Sequence, residues 1–105
     1  MELLHINDSN FNEKINQNKL VLVDFFATWC GPCRMQGPIL ERVKDELGDQ
    51  VEIYKLDVDE AEKSAKAYGV MSIPTLILFK DGKEVAKNVG LMSQERVLDM
   101  IENNK

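Results

Sequence analysis

The stretch Leu20-Val21-Leu22-Val23-Asp24-Phe25-Phe26-Ala27-Thr28-Trp29-Cys30-Gly31-Pro32-Cys33 decides the architecture of this chain. Its first eight residues are apolar except for Asp24 and are rich in Val and Phe, which is the composition of a strand. A strand that does not alternate apolar with polar residues is buried on both faces of its sheet, so helices are predicted on both sides. After Cys30-Gly31-Pro32-Cys33 a helical pattern runs to Leu47, with Ile39, Val43 and Leu47 at four-residue spacing. Pro38 is expected to kink that helix, and Gly48 to stop it in a left-handed conformation.

Working outward, Glu2–Ile6 is a short strand candidate. Asn10 with Glu13 three residues on has the form of a helix cap with its reciprocal acid, and Phe11 and Ile15 share a face. Val51–Asp57 is a third strand, with Val51, Ile53 and Lys55 on one side. Asp59 to Tyr68 reads as a helix capped by Asp59 and closed by Gly69. Thr75–Lys80 is a second buried strand, and Asp81-Gly82 is a hairpin turn returning Glu84–Val89 antiparallel. Ser93 caps a last helix whose apolar face is Val97, Met100 and Ile101. The order is βαβαβαββα, an α/β fold with a mixed five-stranded sheet flanked by four helices, expected as a single domain over residues 1–105.

Composition narrows the function. Hydrophobic residues at 44% and charged residues at 30% are globular values, neither disordered nor fibrous. Thirteen Lys and Arg against eighteen Asp and Glu give a net charge of −5, the wrong balance for a nucleic-acid partner. Half of the carboxylates fall within 41–62, which reads as a solvated acidic side. No stretch approaches the ~18 apolar residues of a membrane span. The start, Met1-Glu2-Leu3-Leu4-His5, is acidic where a secretory leader would be basic, so a cytoplasmic location and no membrane partner are expected. A monomer is the default expectation.

Two cysteines are no disulfide scaffold, so the purpose of Cys30 and Cys33 must be sought in chemistry. They stand where a buried strand ends and a helix begins, facing free backbone N–H groups and the positive end of the helix dipole. A thiolate there is stabilised, its pKa falling from about 8.5 into the range of roughly 3.5–7.5. Three other readings compete with redox exchange. A structural crosslink closing so short a loop contributes only about 1.9 kcal/mol, against roughly 3 for a fifteen-residue loop. A zinc site would have only His5 as a third nitrogen or sulfur donor and would need carboxylates to complete it. Two unrelated core cysteines are the third alternative. His5 is also the only partner for a Cys–His hydrolase, and the five Met residues read as packing filler.

Phe25-Phe26-Ala27-Thr28-Trp29-Cys30-Gly31-Pro32-Cys33, Ile73-Pro74-Thr75 and Val89-Gly90 together resemble the landmarks of the thioredoxin family, in order and spacing, over essentially the whole chain. The resemblance implies the thioredoxin fold and a thiol–disulfide oxidoreductase that reduces protein disulfides. Cys30 would be the attacking thiolate and Cys33 the resolving thiol. Asp24, with Lys55 as its partner, would transfer a proton to and from Cys33. A structurally paired Asp24–Lys55 is the plain alternative. The resemblance also implies a cis bond before Pro74, and a docking rim of Trp29, Gly31, Pro32, Ile73, Gly90 and Leu91. Phe26 departs from the second Trp of many relatives, and Leu91 is bulkier than the small residue often found there.

Oxidants of the same superfamily tend to carry His between the cysteines, where it stabilises the thiolate. Gly31-Pro32 supplies no charge, so the dithiol is the more willing donor. Arg34 is a nearby cation, read as a solvated surface residue. No metal and no bound cofactor are implied. The recharging partner is a flavoprotein, thioredoxin reductase, which draws on NADPH. Two alternatives stay open: an oxidant or isomerase of the same fold, and a binding module that does not use its thiols. If Cys30 attacks and Cys33 resolves, Cys33→Ser accumulates a covalent complex with substrate on a non-reducing gel and Cys30→Ser does not. Equal trapping by both variants would reverse the assignment.

Overall fold

Every residue of β2 (Leu20–Phe26) is buried, because β2 lies at the centre of a five-stranded sheet covered on both faces. The structure, a computed structural model, describes residues 2–105. The other strands are β1 (Leu4–Ile6), β3 (Val51–Asp57), β4 (Thr75–Lys80) and β5 (Lys83–Val89), in the sheet order β1-β3-β2-β4-β5. β3 runs parallel to β1 and β2, whereas β4 is antiparallel to both β2 and β5. The helices are α1 (Phe11–Ile15), α2 (Gly31–Leu47), α3 (Glu62–Ala67) and α4 (Gln94–Glu102). The element order is the one expected from the sequence pattern, with a short 3-10 turn at Gly48–Gln50 added before β3.

Alternation along β2 divides the core in two. Leu20 and Leu22 face Leu40 and Val43 of α2 and Val97 and Ile101 of α4. Val21, Val23 and Phe25 face Phe11 and Ile15 of α1 and Ala65 of α3. Each of these Val, Leu, Ile and Phe side chains, when fully buried, contributes about 1.5–3 kcal/mol. On the second face Phe79 meets the rings of Phe11 and Tyr68 edge-on, at centroid distances of 5.8 and 5.2 Å.

The local signals closest to the backbone read correctly. Asp81 (φ 53°) and Gly82 (φ 80°) form the β4–β5 turn, and a Cβ at Gly82 would collide with the Asn16 carboxamide. The Ser93 side chain accepts the Arg96 N–H at 3.2 Å, capping α4. Other expectations are corrected. β1 begins at Leu4, where pairing with Tyr54 of β3 starts. The buried face of α2 is Cys33, Gln36, Gly37, Leu40 and Val43, and Ile39 is only half-buried. That face is set by Cys33 in the first turn, one residue round from the Ile39 spacing. Pro38, where a kink is expected, lies inside α2, which is continuous from Gly31 to Leu47. Gly48 has positive φ (55°) but ψ of −124°, outside the left-handed helical basin, because the chain passes directly into the 3-10 turn.

Two predicted caps are also replaced. The Asn10 side chain accepts the Asn7 N–H at 2.8 Å and makes no bond to α1. Asp59 does not cap α3, which starts later, at Glu62. The cap comes from Asp8, far away in sequence. Its Oδ1 accepts both the N–H and the hydroxyl of Ser64, at 2.8 and 2.7 Å, and its Oδ2 accepts the Lys63 N–H at 3.3 Å. The Ser64 bonds hold the Asp8 carboxyl below the usual carboxylate range. A group with a lowered folded pKa stabilises the fold above its unfolded pKa and loses that effect as pH falls through the folded value. Asp8→Ala is therefore expected to melt at a lower temperature than the parent at neutral pH. In thermal scans the difference should close as the pH is taken below the ordinary carboxylate range.

Candidate active site

After β2 the chain crosses Ala27, Thr28 and Trp29 and places Cys30 at the N-cap of α2, with extended backbone (φ −89°, ψ 115°). The Cys33 N–H donates to the Cys30 Sγ at 3.2 Å. Pro32 occupies the first turn, where its missing N–H leaves no donor unmet, and that turn carries no acidic side chain. The Cys30 sulfur thus meets a backbone donor and the positive end of a seventeen-residue helix. Cys30 and Cys33 are joined as a disulfide, with Cα atoms 5.3 Å apart. The pair packs with Phe26 and Ala27, flanked by Val58 and Ile73. Cys30 is 6% exposed and Cys33 2%, so the first sulfur lies nearer the solvent.

Of the predicted rim residues, Ile73 packs against this pair, and Trp29, Gly31 and Pro32 adjoin it in the chain. Trp29 is 68% exposed, as a rim residue should be and a core aromatic would not. Gly31, Pro32 and Leu91 are exposed, while Ile73 and Gly90 are half-buried. The Ile73–Pro74 peptide is cis, and the buried Pro74 offers its carbonyl to the Gly90 N–H at 2.8 Å. That bond ties the Gly90 segment to the Ile73–Pro74 segment, which packs against the sulfurs through Ile73. Arg34 turns aside, donating to the Thr28 carbonyl at 3.3 Å. His5 packs edge-on against Phe26, at 5.4 Å between centroids. The methionines are not all packing filler: Met92 is buried, but Met35 and Met71 are exposed, and Met1 lies outside the described residues.

One contact escaped the sequence reading. The Trp29 indole N–H donates to Asp59 Oδ2 at 2.9 Å, so the residue expected to cap a helix instead holds the exposed indole. The available signal was that β3 ends beside β2 in a parallel pair, bringing the chain after Asp57 next to the chain after Phe26.

Asp24 sits in the middle of β2 on the α2 side, wholly buried, and neither carboxylate oxygen has a hydrogen-bond partner. Burial pushes its pKa up to about 7, with the charge of Lys55 opposing the rise. Lys55 is its register neighbour on β3, but no ion pair or hydrogen bond joins them, which corrects the expectation of a directly paired carboxylate. The Lys55 Nζ lies 4.3 Å from the centroid of the Phe26 ring, and that ring competes for the ammonium. A carboxyl with a pKa of about 7 both takes up and releases protons near neutrality. Among the described residues no group of three or more His, Cys, Asp or Glu side chains converges as a metal site would require.

A sulfur pair at the start of a helix, open to bond formation and cleavage, on a mixed sheet of this order, defines a thiol–disulfide oxidoreductase. Likeness to known proteins agrees. The profile of the thioredoxin family matches residues 2–103. The thioredoxin of Staphylococcus haemolyticus is 46% identical over 104 residues, covering 99% of both chains. Those of Chlamydia muridarum (49% over 100 residues, 95% of this chain and 96% of the other) and Bacillus subtilis (43% over 101 residues, 96% of each) are similar too. A solved structure of a mutant thioredoxin from Halobacterium salinarum superposes with a TM-score of 0.89 at 39% identity, covering 97% of this chain and 89% of that one. The chain belongs to the thioredoxin family, and its architecture is the thioredoxin fold.

The unpartnered carboxyl has a thermodynamic signature. A buried carboxyl whose folded pKa is about 7 holds its proton longer than the unfolded chain does. The sign follows: stability falls as pH rises from the unfolded value, about 4, to about 7, and levels off above that. The total is on the order of 4 kcal/mol. Denaturant titrations from pH ~5 to ~8 are expected to show this decline, and Asp24→Ala to abolish it. A wild-type stability flat across that interval would contradict the buried, unpaired state of Asp24.

Proposed function

We propose that this protein is a general dithiol reductant of protein disulfides. The observation that carries the reading is the Cys30 sulfur on the free amide end of α2, bonded to Cys33, with no acidic or basic side chain between them. In the reduced protein the Cys30 thiolate attacks one sulfur of a substrate disulfide. A Cys30–substrate bond forms, the substrate S–S bond breaks, and the other substrate sulfur leaves as a thiolate that takes a proton from water. The Cys33 thiol then gives its proton to the Asp24 carboxylate, and the Cys33 sulfur attacks the Cys30 sulfur. The second substrate thiolate is released, and two electrons have passed from the dithiol to the substrate. Lys55 acts on this step at a distance, through its charge, by limiting how far the Asp24 pKa rises.

The substrate lies across the rim of Trp29, Gly31, Pro32, Ile73, Pro74, Gly90 and Leu91, as an extended segment beside Ile73. That surface is mildly apolar and offers main chain as well as side chains, which suits a reductant of many sequences. Recharging is assigned to a flavoprotein thioredoxin reductase drawing on NADPH, so the nicotinamide cofactor is used indirectly. A dithiol donor of this kind fits the reducing cytoplasm, and the protein is taken to act as a monomeric single domain.

The test is an equilibrium titration of the dithiol against a glutathione or dithiothreitol redox buffer, followed by the fluorescence of Trp29, the only Trp in the chain. A midpoint below that of cellular glutathione, roughly −220 mV or lower, is expected for a reductant. A midpoint nearer −120 mV would make the protein an oxidant. A Cys30→Ser, Cys33→Ser double variant that kept full cellular function would make it a binding module.

A further inference from the structure

Gln36 is a buried polar side chain to which the exchange chemistry gives no role. It lies on α2 one turn after Cys33, on the same face, and is wholly buried. A primary amide inside an apolar core is unfavourable unless its donor and its acceptor both find partners. One residue supplies both: Gln36 Nε2–H donates to the Met92 carbonyl at 3.0 Å, and Gln36 Oε1 accepts the Met92 N–H at 2.8 Å. The side chain thereby pairs with the main chain of Met92 as a neighbouring strand would.

Met92 belongs to the segment between β5 and α4 that also carries Gly90 and Leu91. The other end of that segment is tied down separately, by the Gly90 N–H to the Pro74 carbonyl at 2.8 Å and by Asn88 Nδ2–H to the Gly90 carbonyl at 3.1 Å. Leu91, exposed, stands between two anchors. One anchor is the Pro74 segment, and the other is the helix that bears both sulfurs. An apolar side chain at position 36 would fill the core equally well but would leave the Met92 N–H and carbonyl without these partners.

We propose that Gln36 is a positioning residue for substrate docking. It fixes the Gly90–Leu91 wall relative to the Cys30–Cys33 sulfurs, and so sets the affinity for a polypeptide segment flanking a disulfide without entering the exchange itself. The proposal rests on the dithiol-reductase reading. A small disulfide that reaches only the sulfurs does not use this wall and should not sense the clamp.

Gln36→Met keeps the length and shape of the side chain and removes both bonds. Turnover is measured with insulin as the protein disulfide and with oxidised glutathione as the small one. The KM for insulin is expected to rise about fivefold, the equivalent of one net hydrogen bond, with kcat unchanged. The rate with oxidised glutathione and the redox midpoint should stay at parental values. Because Gln36 acts through Leu91, a Gln36→Met, Leu91→Ala double variant should raise the KM no further than Leu91→Ala alone. Gln36→Leu is read in the same way if Gln36→Met does not unfold cooperatively. An unchanged insulin KM, additive effects in the double variant, or a glutathione rate that falls in step with insulin turnover would each overturn the assignment. Wild-type protein unable to reduce insulin would overturn the reductase reading instead, so the two failures are distinguishable.

Discussion

Burial of β2 on both faces is the constraint from which the rest of the molecule follows. A strand with no solvent side demands helices above and below, and the two halves of the core divide along its alternation. Its C-terminal end leads through the short segment 27–30 into α2, so the sulfurs sit where a strand has stopped and a helix dipole starts. The same burial encloses Asp24 so completely that both oxygens lack partners. Scaffold, sulfur seat and raised carboxyl pKa are consequences of one strand's position.

The chemistry then divides between groups that differ in exposure. Cys30 is the outer sulfur and Cys33 the inner one, and the order of attack and resolution proposed above uses that gradient. The backbone, through the Cys33 N–H and the helix end, favours charge on Cys30. The core, by withholding partners from Asp24, keeps a proton-exchanging group near neutrality. Lys55 moderates this from its seat over Phe26. A direct ion pair with Lys55 would instead have held the carboxyl ionised.

The proposed docking side is held by contacts that join its loops to one another and to α2. Pro74 and Gly90 are joined through the main chain, Trp29 is held by Asp59, and Met92 is held by Gln36. Each contact links a segment near the sulfurs to one distant in sequence. The rim is therefore set by the packed core beneath it, although its surface residues are exposed.

The sequence by itself determined the elements whose signals are local. The apolar run of β2, the helix start at Gly31-Pro32, the Asp81-Gly82 turn and the Ser93 cap each depend on a few adjacent residues, and each could be read directly. The spacing of Cys30 and Cys33 and the family likeness also lay in the linear order. Tertiary structure alone decided which partner each long-range polar group takes. Asp8 caps α3 in place of Asp59, Asp59 binds the Trp29 indole, Lys55 leaves Asp24 for an aromatic face, and Gln36 bridges to Met92. A carboxylate, amide or ammonium carries no local mark of its partner. Strand order and helix placement fix which donors and acceptors come within hydrogen-bonding distance, and those follow only from the folded whole.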